Sequence, residues 1–486
     1  MAKFYRRMFF WIFFLLFFIT TPLAIYYSQG YRFDRLKKIF IHSGSITIKS
    51  IPSSVNIYLN GELQSPRALD IINNSITLNG LRPGLYNLRV TADGYENWEK
   101  NIEVHSGVST EFWNVFLPPL NPAIQQLAAT NLQKYFLSPF GKKIAYVKKN
   151  GDQLEIWSLD VKNNGSDIIF SRAGLDFPDN PLENTEWNFK EKLLVSPVTI
   201  NGQKDFLVLD SEKNQNPALL SELTGLSGLV QARWSPNDQK MIYFMAKSNL
   251  EEGNNLYRIN IDTNTPETIL QNIKAYDVSS NAVYFLRQNN IIYKTSLEGN
   301  SENQIAIAPI PLTDENARPH LIVYDDDRQA VISESGEFFI RNNSETDSTR
   351  KIGDGVLGVQ FSDDGKKILY WTNNEISVLY LRKWEVQPRR EENEIEQIVR
   401  FSTPLKNVFW YRDYEHIFFS TQKRAKIIEL DARDHRNIFD ILKYDSDDFM
   451  SSYDSANGVY YFIDQAEGEN KLFYLNIPEQ TGFFGI

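Results

Sequence analysis

Three patterns of apolar and polar positions divide the chain. From Met8 to Tyr27 the sequence reads MFFWIFFLLFFITTPLAIYY, 20 residues without a charge. As a helix rising about 1.5 Å per residue, such a run spans about 30 Å, the thickness of a bilayer core. Trp11, Tyr26 and Tyr27 stand near its ends, where amphipathic aromatics favour the membrane interface. From 44 to 117 the period changes to two. Ile46 and Ile48 share one face, as do Val55, Ile57 and Leu59, while Leu85, Leu88 and Val90 mark another apolar stretch. Turn signals separate these strands: Asn60-Gly61, Arg82-Pro83-Gly84 and Asp93-Gly94.

From about residue 121 a third pattern recurs, in units at 137–160, 185–210, 232–262, 275–297, 320–342, 358–381, 408–431 and 451–477. Each begins with a short strand ending in Ser or an aromatic. A polar turn follows, such as Asp363-Asp364-Gly365 or Pro236-Asn237-Asp238. A strongly apolar strand comes next, as in Ile368-Leu369-Tyr370-Trp371, then a hairpin and a further strand. One such sheet cannot cover both of its faces. Stacked in a ring, each sheet covers its neighbour, and starts about 37–50 residues apart match a four-stranded propeller repeat. The last unit has no evident fourth strand, and Ala123–Leu127 is expected to supply it and seal the ring.

The expected fold class is therefore all-β: an N-terminal transmembrane helix, a small β-sandwich, then a seven- or eight-bladed β-propeller, eight preferred. The expected boundaries are a cytoplasmic tail at 1–7, a signal-anchor helix at 8–28, a juxtamembrane linker at 29–43, the sandwich at 44–118 and the propeller at 121–486. The competing fold is a row of unrelated sandwiches, which would alternate without repeating a turn phrase.

The segments GSITIKSIPSSVNIYLNGE and LNGLRPGLYNLRVTADGYENWEKNIEV resemble the PEGA domain family over roughly 44–117, although the namesake tetrapeptide is degraded to Pro52-Ser53-Ser54-Val55. That resemblance implies a small surface β-sandwich of bacterial or archaeal type, often beside a membrane helix, with no catalytic residues. The repeats resemble TolB-like and WD-repeat-like propellers through a phrase similar to F-S-P-D-G-K. Phe361–Lys366, Leu137–Lys142 and Trp234–Asp238 match it best, while the units at 185, 320 and 408 match poorly.

Charge sharpens the division. Residues 1–41 carry Lys3, Arg6, Arg7, Arg32, Arg35, Lys37 and Lys38 against Asp34, a net +6, and the rest of the chain holds −16 of a total of −10. An acidic body argues against nucleic acid, which needs a basic footprint. A cleaved signal peptide competes with the anchor, but the apolar run ends in Ile25-Tyr26-Tyr27 without a small-x-small site. Basic residues flank both ends almost equally, so the positive-inside rule is close to a tie. An extracytoplasmic body at the cell membrane is expected from the resemblance and from the absence of cysteine.

Chemistry is sparse. His42, His105, His320, His416 and His435 have no metal-ligand spacing, and no metal or cofactor site is expected. Asp325-Asp326-Asp327, Asp363-Asp364 and Asp445-Ser446-Asp447-Asp448 read as solvated turns rather than calcium loops. Gly353-x-Gly355-x-x-Gly358 precedes a strand, not a helix, and reads as a turn between blades. Trp384, Trp410 and Tyr411 suit either sugar stacking or a blade core, with the core favoured. No catalytic residue is assigned and the binding residues stay unassigned. The expectation is a non-enzymatic, monomeric scaffold tethered by one helix in the membrane and presenting a propeller to an envelope protein, glycan or surface polymer. The alternative is an enzyme acting on an extracellular polymer, with carboxylates at the channel; a sensor is a third, hampered by so short a tail.

Overall fold

The computed structural model describes residues 2–28, 30–34, 38–64, 69–70, 75–178, 185–213, 216–247, 253–314, 318–344, 347–446 and 449–478. Arg35, Lys37, Asp447 and Asp448, singled out above, lie outside them. Helix α1 runs over Ala2–Ser28 with Pro22 inside it. Its apolar side chains are exposed all round, as the consecutive Phe9, Phe10, Trp11 and Ile12 show. No soluble core covers it, and Phe4–Ser28 is long and apolar enough to cross a membrane.

The stretch expected to be a linker contains a hairpin. Tyr31–Asp34 pairs antiparallel with Ile39–His42, setting Phe33 opposite Phe40 and Tyr31 opposite His42. Aromatic cross-strand pairs of this kind hold short strands together, and the sequence reading overlooked them.

The sandwich follows. One four-stranded sheet is ordered Ser109–Phe116, Gly44–Ile51, Ser75–Leu81, Leu69–Asp70; the other is ordered Glu62–Gln64, Asn56–Leu59, Gly84–Thr91, Trp98–Val104. Alternation sends Ile46, Ile48, Ile57, Leu59, Leu88 and Val90 into one core between the sheets. Asn60 and Gly61 both take positive φ at the turn, as the Asn-Gly signal predicts.

The repeats form a ring of antiparallel sheets. Each expected unit lies in its own sheet except those at 232 and 275, which share a seven-stranded sheet through the long strand Pro266–Val278. In the middle strands, consecutive residues face opposite neighbours. Tyr243 and Phe244 enter different cores, as do Tyr284 and Phe285, Phe338 and Phe339, Phe418 and Phe419, and Tyr460 and Tyr461. This explains the continuous apolar runs: both faces of each sheet are covered. The last core joins Tyr461 and Ile463 to Tyr135 and Tyr146 of the first sheet. Ile124–Thr130 pairs antiparallel with Glu469–Asn476, so the chain's own early strand closes the ring as expected.

The recurring turn phrase has a physical cause. Ser362 Oγ accepts from the Lys367 amide at 3.0 Å, and Ser138 Oγ accepts from Lys143 at 2.9 Å. Gly365 and Gly141 occupy the left-handed region that closes each turn. The poorly matching units use another oxygen for the same purpose. Asn188 Oδ1 accepts from Lys192 and Leu193, Asp325 Oδ1 from Asp327 and Arg328, and Asp413 Oδ1 from Glu415 and His416.

Sandwich and ring meet across a buried contact. Lys100, fully buried, places Nζ 2.8 Å from Glu429 Oε1 and donates to the carbonyls of Asp431, Arg433 and His435. Trp98 Nε1 donates to Glu429 Oε2 at 2.8 Å, and Asn437 fills the other oxygen. The Arg433 guanidinium lies 4.0 Å from the Phe112 ring centre and donates to the Glu111 carbonyl. Phe116 packs on Tyr411 and His416.

Candidate functional site

The first strand of each sheet lines the inside of the ring, because the closing strand is the outermost of the last sheet. A cavity of about 610 Å³ opens among several of these first strands. Thr185, Glu186 and Trp187 enter it from one sheet, Gln231, Ala232 and Arg233 from the next, and His320, Leu321 and Ile322 from a third. Its size falls within the range of small-molecule sites.

An ionic bridge crosses the wall. Arg233 Nη1 lies 2.5 Å from Asp277 Oδ1, and Arg233 Nε lies 3.4 Å from Glu186 Oε2. Asp277 also accepts from the Val278 amide at 2.9 Å and the Val323 amide at 2.8 Å. Gln231 Nε2 donates to the Tyr276 carbonyl, and Tyr276 Oη donates to the carbonyls of Gln231 and Tyr243. These bonds tie successive first strands together around the cavity. Indoles do the same from behind: Trp187 Nε1 donates to the Phe136 carbonyl, Trp234 to Glu186 and Trp410 to Gln360.

Electrostatics separate the cavity from ordinary surface. Burial raises the Glu186 carboxyl above its usual range against the pull of Arg233. Asp277 raises Arg233 further, outweighing burial. Burial and then Lys204 hold His320 down at about 4, so it is neutral at pH 7. Burial and then Arg318 bring Lys204 down to about 8. The site thus offers a guanidinium flanked by carboxylates and a neutral imidazole, with the Lys204 amine close enough to act on that imidazole. Such groups can recognise a polar ligand by hydrogen bonds from fixed positions.

The residues flagged in the sequence are scattered. Of the histidines, only His320 reaches this cavity. His416 is buried against Asp413 at 2.7 Å, His435 meets Asp434, His42 stacks on Tyr31, and His105 lies near Glu103. The triple aspartate is a paired turn: Asp325 bonds Arg328, Asp326 meets Lys294, and Asp327 accepts from Asn343. Asp364 accepts from Ser362 and the Lys366 amide, and the Asp445 amide donates to Asp464. Among the described residues, no group of three His, Asp or Glu side chains is placed to hold a metal ion. Gly353 ends one sheet and Gly358 begins the next, so the glycine phrase is the expected turn. Trp410 and Tyr411 are buried in cores, and Trp384 is half-buried with Lys367 Nζ 4.0 Å from its ring.

Glu186, Arg233 and Asp277 escaped the sequence reading. They lie 47 and 44 positions apart from Arg233, one repeat each way, and that spacing was the available signal.

The fold defines the class: a β-propeller protein with a small β-sandwich domain and one N-terminal apolar helix. Residues 43–118 match the PEGA domain family. No curated protein matches the chain. Among solved structures, the β-propeller domain of Cps50 (Swd1) from Myceliophteria thermophila is 11% identical with a TM-score of 0.42, covering 73% of this chain and 98% of that one. Sqt1 of Saccharomyces cerevisiae is 12% identical with a TM-score of 0.44, covering 72% and 100%. An oligogalacturonate lyase in complex with manganese is 11% identical with a TM-score of 0.39, covering 74% and 98%. These likenesses join enzymes and non-enzymes and assign no activity.

Proposed function

We propose that this protein is a membrane-anchored, extracytoplasmic scaffold that binds an envelope partner, a glycan, surface polymer or protein, at the cavity inside its ring. We count eight blades, with the seven-stranded sheet supplying two. The carrying observation is the cavity itself, walled by Thr185, Glu186, Gln231, Arg233 and His320 on first strands that their mutual bonds hold rigid. A preorganised polar wall spends little ordering entropy on binding. The buried Lys100–Glu429 pair supports the scaffold reading, because it makes the sandwich a fixed mount rather than a loose tether.

Thr185→Trp would push an indole into the cavity from its wall. The full chain should capture its partner from envelope extracts, and the obstructed variant, if equally stable, should capture less. Equal capture by both would remove the cavity from the proposal. Protease added to intact cells should digest the body; protection until lysis would place it on the cytoplasmic side.

The second reading, an enzyme acting on an extracellular polymer, has Glu186 in its favour, a carboxyl with a raised pKa beside a cavity. Its natural partner, Asp277, is already committed to Arg233 and two backbone amides.

A further inference from the structure

We infer that the paired strands Tyr31–Asp34 and Ile39–His42 lie in the lipid headgroup region, as an aromatic collar at the outer end of helix α1; this rests on the membrane-anchor reading. Few residues separate the helix end at Ser28 from Tyr31, a reach of about 11 Å at most. The interfacial zone beyond a bilayer core of about 30 Å is itself about 5–8 Å deep on each side. The leash alone could carry Tyr31 past that zone, but packing of the Tyr26 ring on Tyr31 and Phe40 holds the hairpin beside the helix end.

Its side chains suit the position. Register places Tyr31, Phe33, Phe40 and His42 on one face. That face continues the helix end: Tyr26 packs on Tyr31 at 5.3 Å and on Phe40 at 6.0 Å between ring centres, and Phe33 packs on Phe40 at 5.3 Å. On the opposite side Arg32 lies 3.7 Å over the Tyr27 ring and donates to the Tyr27 carbonyl. The hairpin therefore clamps both terminal tyrosines of the helix. Yet Phe33, Ile39 and Phe40 remain 52%, 52% and 49% exposed. In water that is an unsatisfied apolar patch beside exposed Lys38. In a headgroup layer, aromatic rings and basic side chains are both accommodated, the rings below and the cations at the phosphates. The root of the hairpin is fixed to the sandwich: Ser43 Oγ donates to the Gly30 carbonyl, and Ser106 Oγ to the His42 carbonyl. The collar would thus set the sandwich, and the ring locked to it, at one height above the lipid.

The chain has no cysteine, so single-cysteine variants of the full protein report position directly. Phe14→Cys, Phe33→Cys, Phe40→Cys and Ile307→Cys would carry an environment-sensitive fluorophore in phosphatidylcholine–phosphatidylglycerol vesicles. Nitroxides would be placed either at the headgroup or deep in the acyl chain. Phe33 and Phe40 labels should be quenched at least twofold more by the shallow nitroxide than by the deep one. The Phe14 label should show the reverse, and Ile307, exposed on the ring, neither. Lys38→Cys gives a second shallow reporter should a label on the aromatic face disturb the hairpin. If Phe33, Phe40 and Lys38 labels behave like Ile307 while Phe14 is quenched deeply, the collar is refuted and the anchor stands. If Phe14 is not quenched, the anchor fails and takes the collar with it. Quenching between labelled copies, with no response to either nitroxide, would assign the patch to self-association instead.

Discussion

The junction and the cavity wall use the same chemistry to different ends. At the junction, Lys100 meets Glu429 with both side chains buried, and Trp98, Asn437 and three backbone carbonyls complete their hydrogen bonds. At the cavity wall, Arg233 meets Glu186 and Asp277, but the guanidinium and Glu186 are only half-buried. A sealed pair is a fastener, because breaking it strands a charge in a dry place. An unsealed one leaves atoms facing open volume, where a ligand can reach them. The histidines repeat the contrast. His416, at the junction, is pulled down by burial, but Asp413, Glu429 and Glu415 together raise it more, so its net shift is upward. His320, at the cavity, is held down by burial and by Lys204.

The largest test of the contrast is Lys100→Met. Glu429 would remain buried without its cation, and denaturant unfolding should report a loss of about 3–5 kcal/mol. Adding Glu429→Leu should restore only part of this, since the Trp98 and Asn437 donors would then lack an acceptor. Arg233→Met should cost less, about 1–2 kcal/mol, because water reaches the wall and Asp277 keeps its two amide donors. A loss as large as that of Lys100→Met would erase the distinction.

A further test lies in pH. His320 has a folded pKa below its unfolded value, so the stability it contributes is present above about pH 6.5 and is lost as pH falls towards 4. His416 has a raised folded pKa, so its contribution is full below about pH 6.5 and is lost as pH rises through the folded value. His320→Gln should flatten the acid side of the stability profile and His416→Gln the neutral side. Both variants tilting the profile the same way would contradict the opposite environments.

Much of this molecule could be read from residues in order. The apolar helix, the Asn60-Gly61 hairpin, the turn phrase at Ser138, Ser235 and Ser362, and the closing strand at Ile124 all follow from local signals: period, turn chemistry and an unpaired edge. The weak repeats at 185, 320 and 408 hid only because Asn188, Asp325 and Asp413 replace a serine oxygen with an amide or carboxylate oxygen that does the same work. Even the acidic cluster at 325 dissolves into that rule.

What the order of residues left open was decided by closure of the ring. Glu186, Arg233 and Asp277 sit on separate first strands, and Trp98 and Glu429 are 331 positions apart. Local patterning sets which face of a strand is apolar, since neighbours along the chain share that decision. It does not set which distant strands stand side by side. That depends on how many sheets complete a circle and where the sandwich docks on it, so the cavity, the buried ion pair and the opposite shifts of two histidines exist only in the assembled fold.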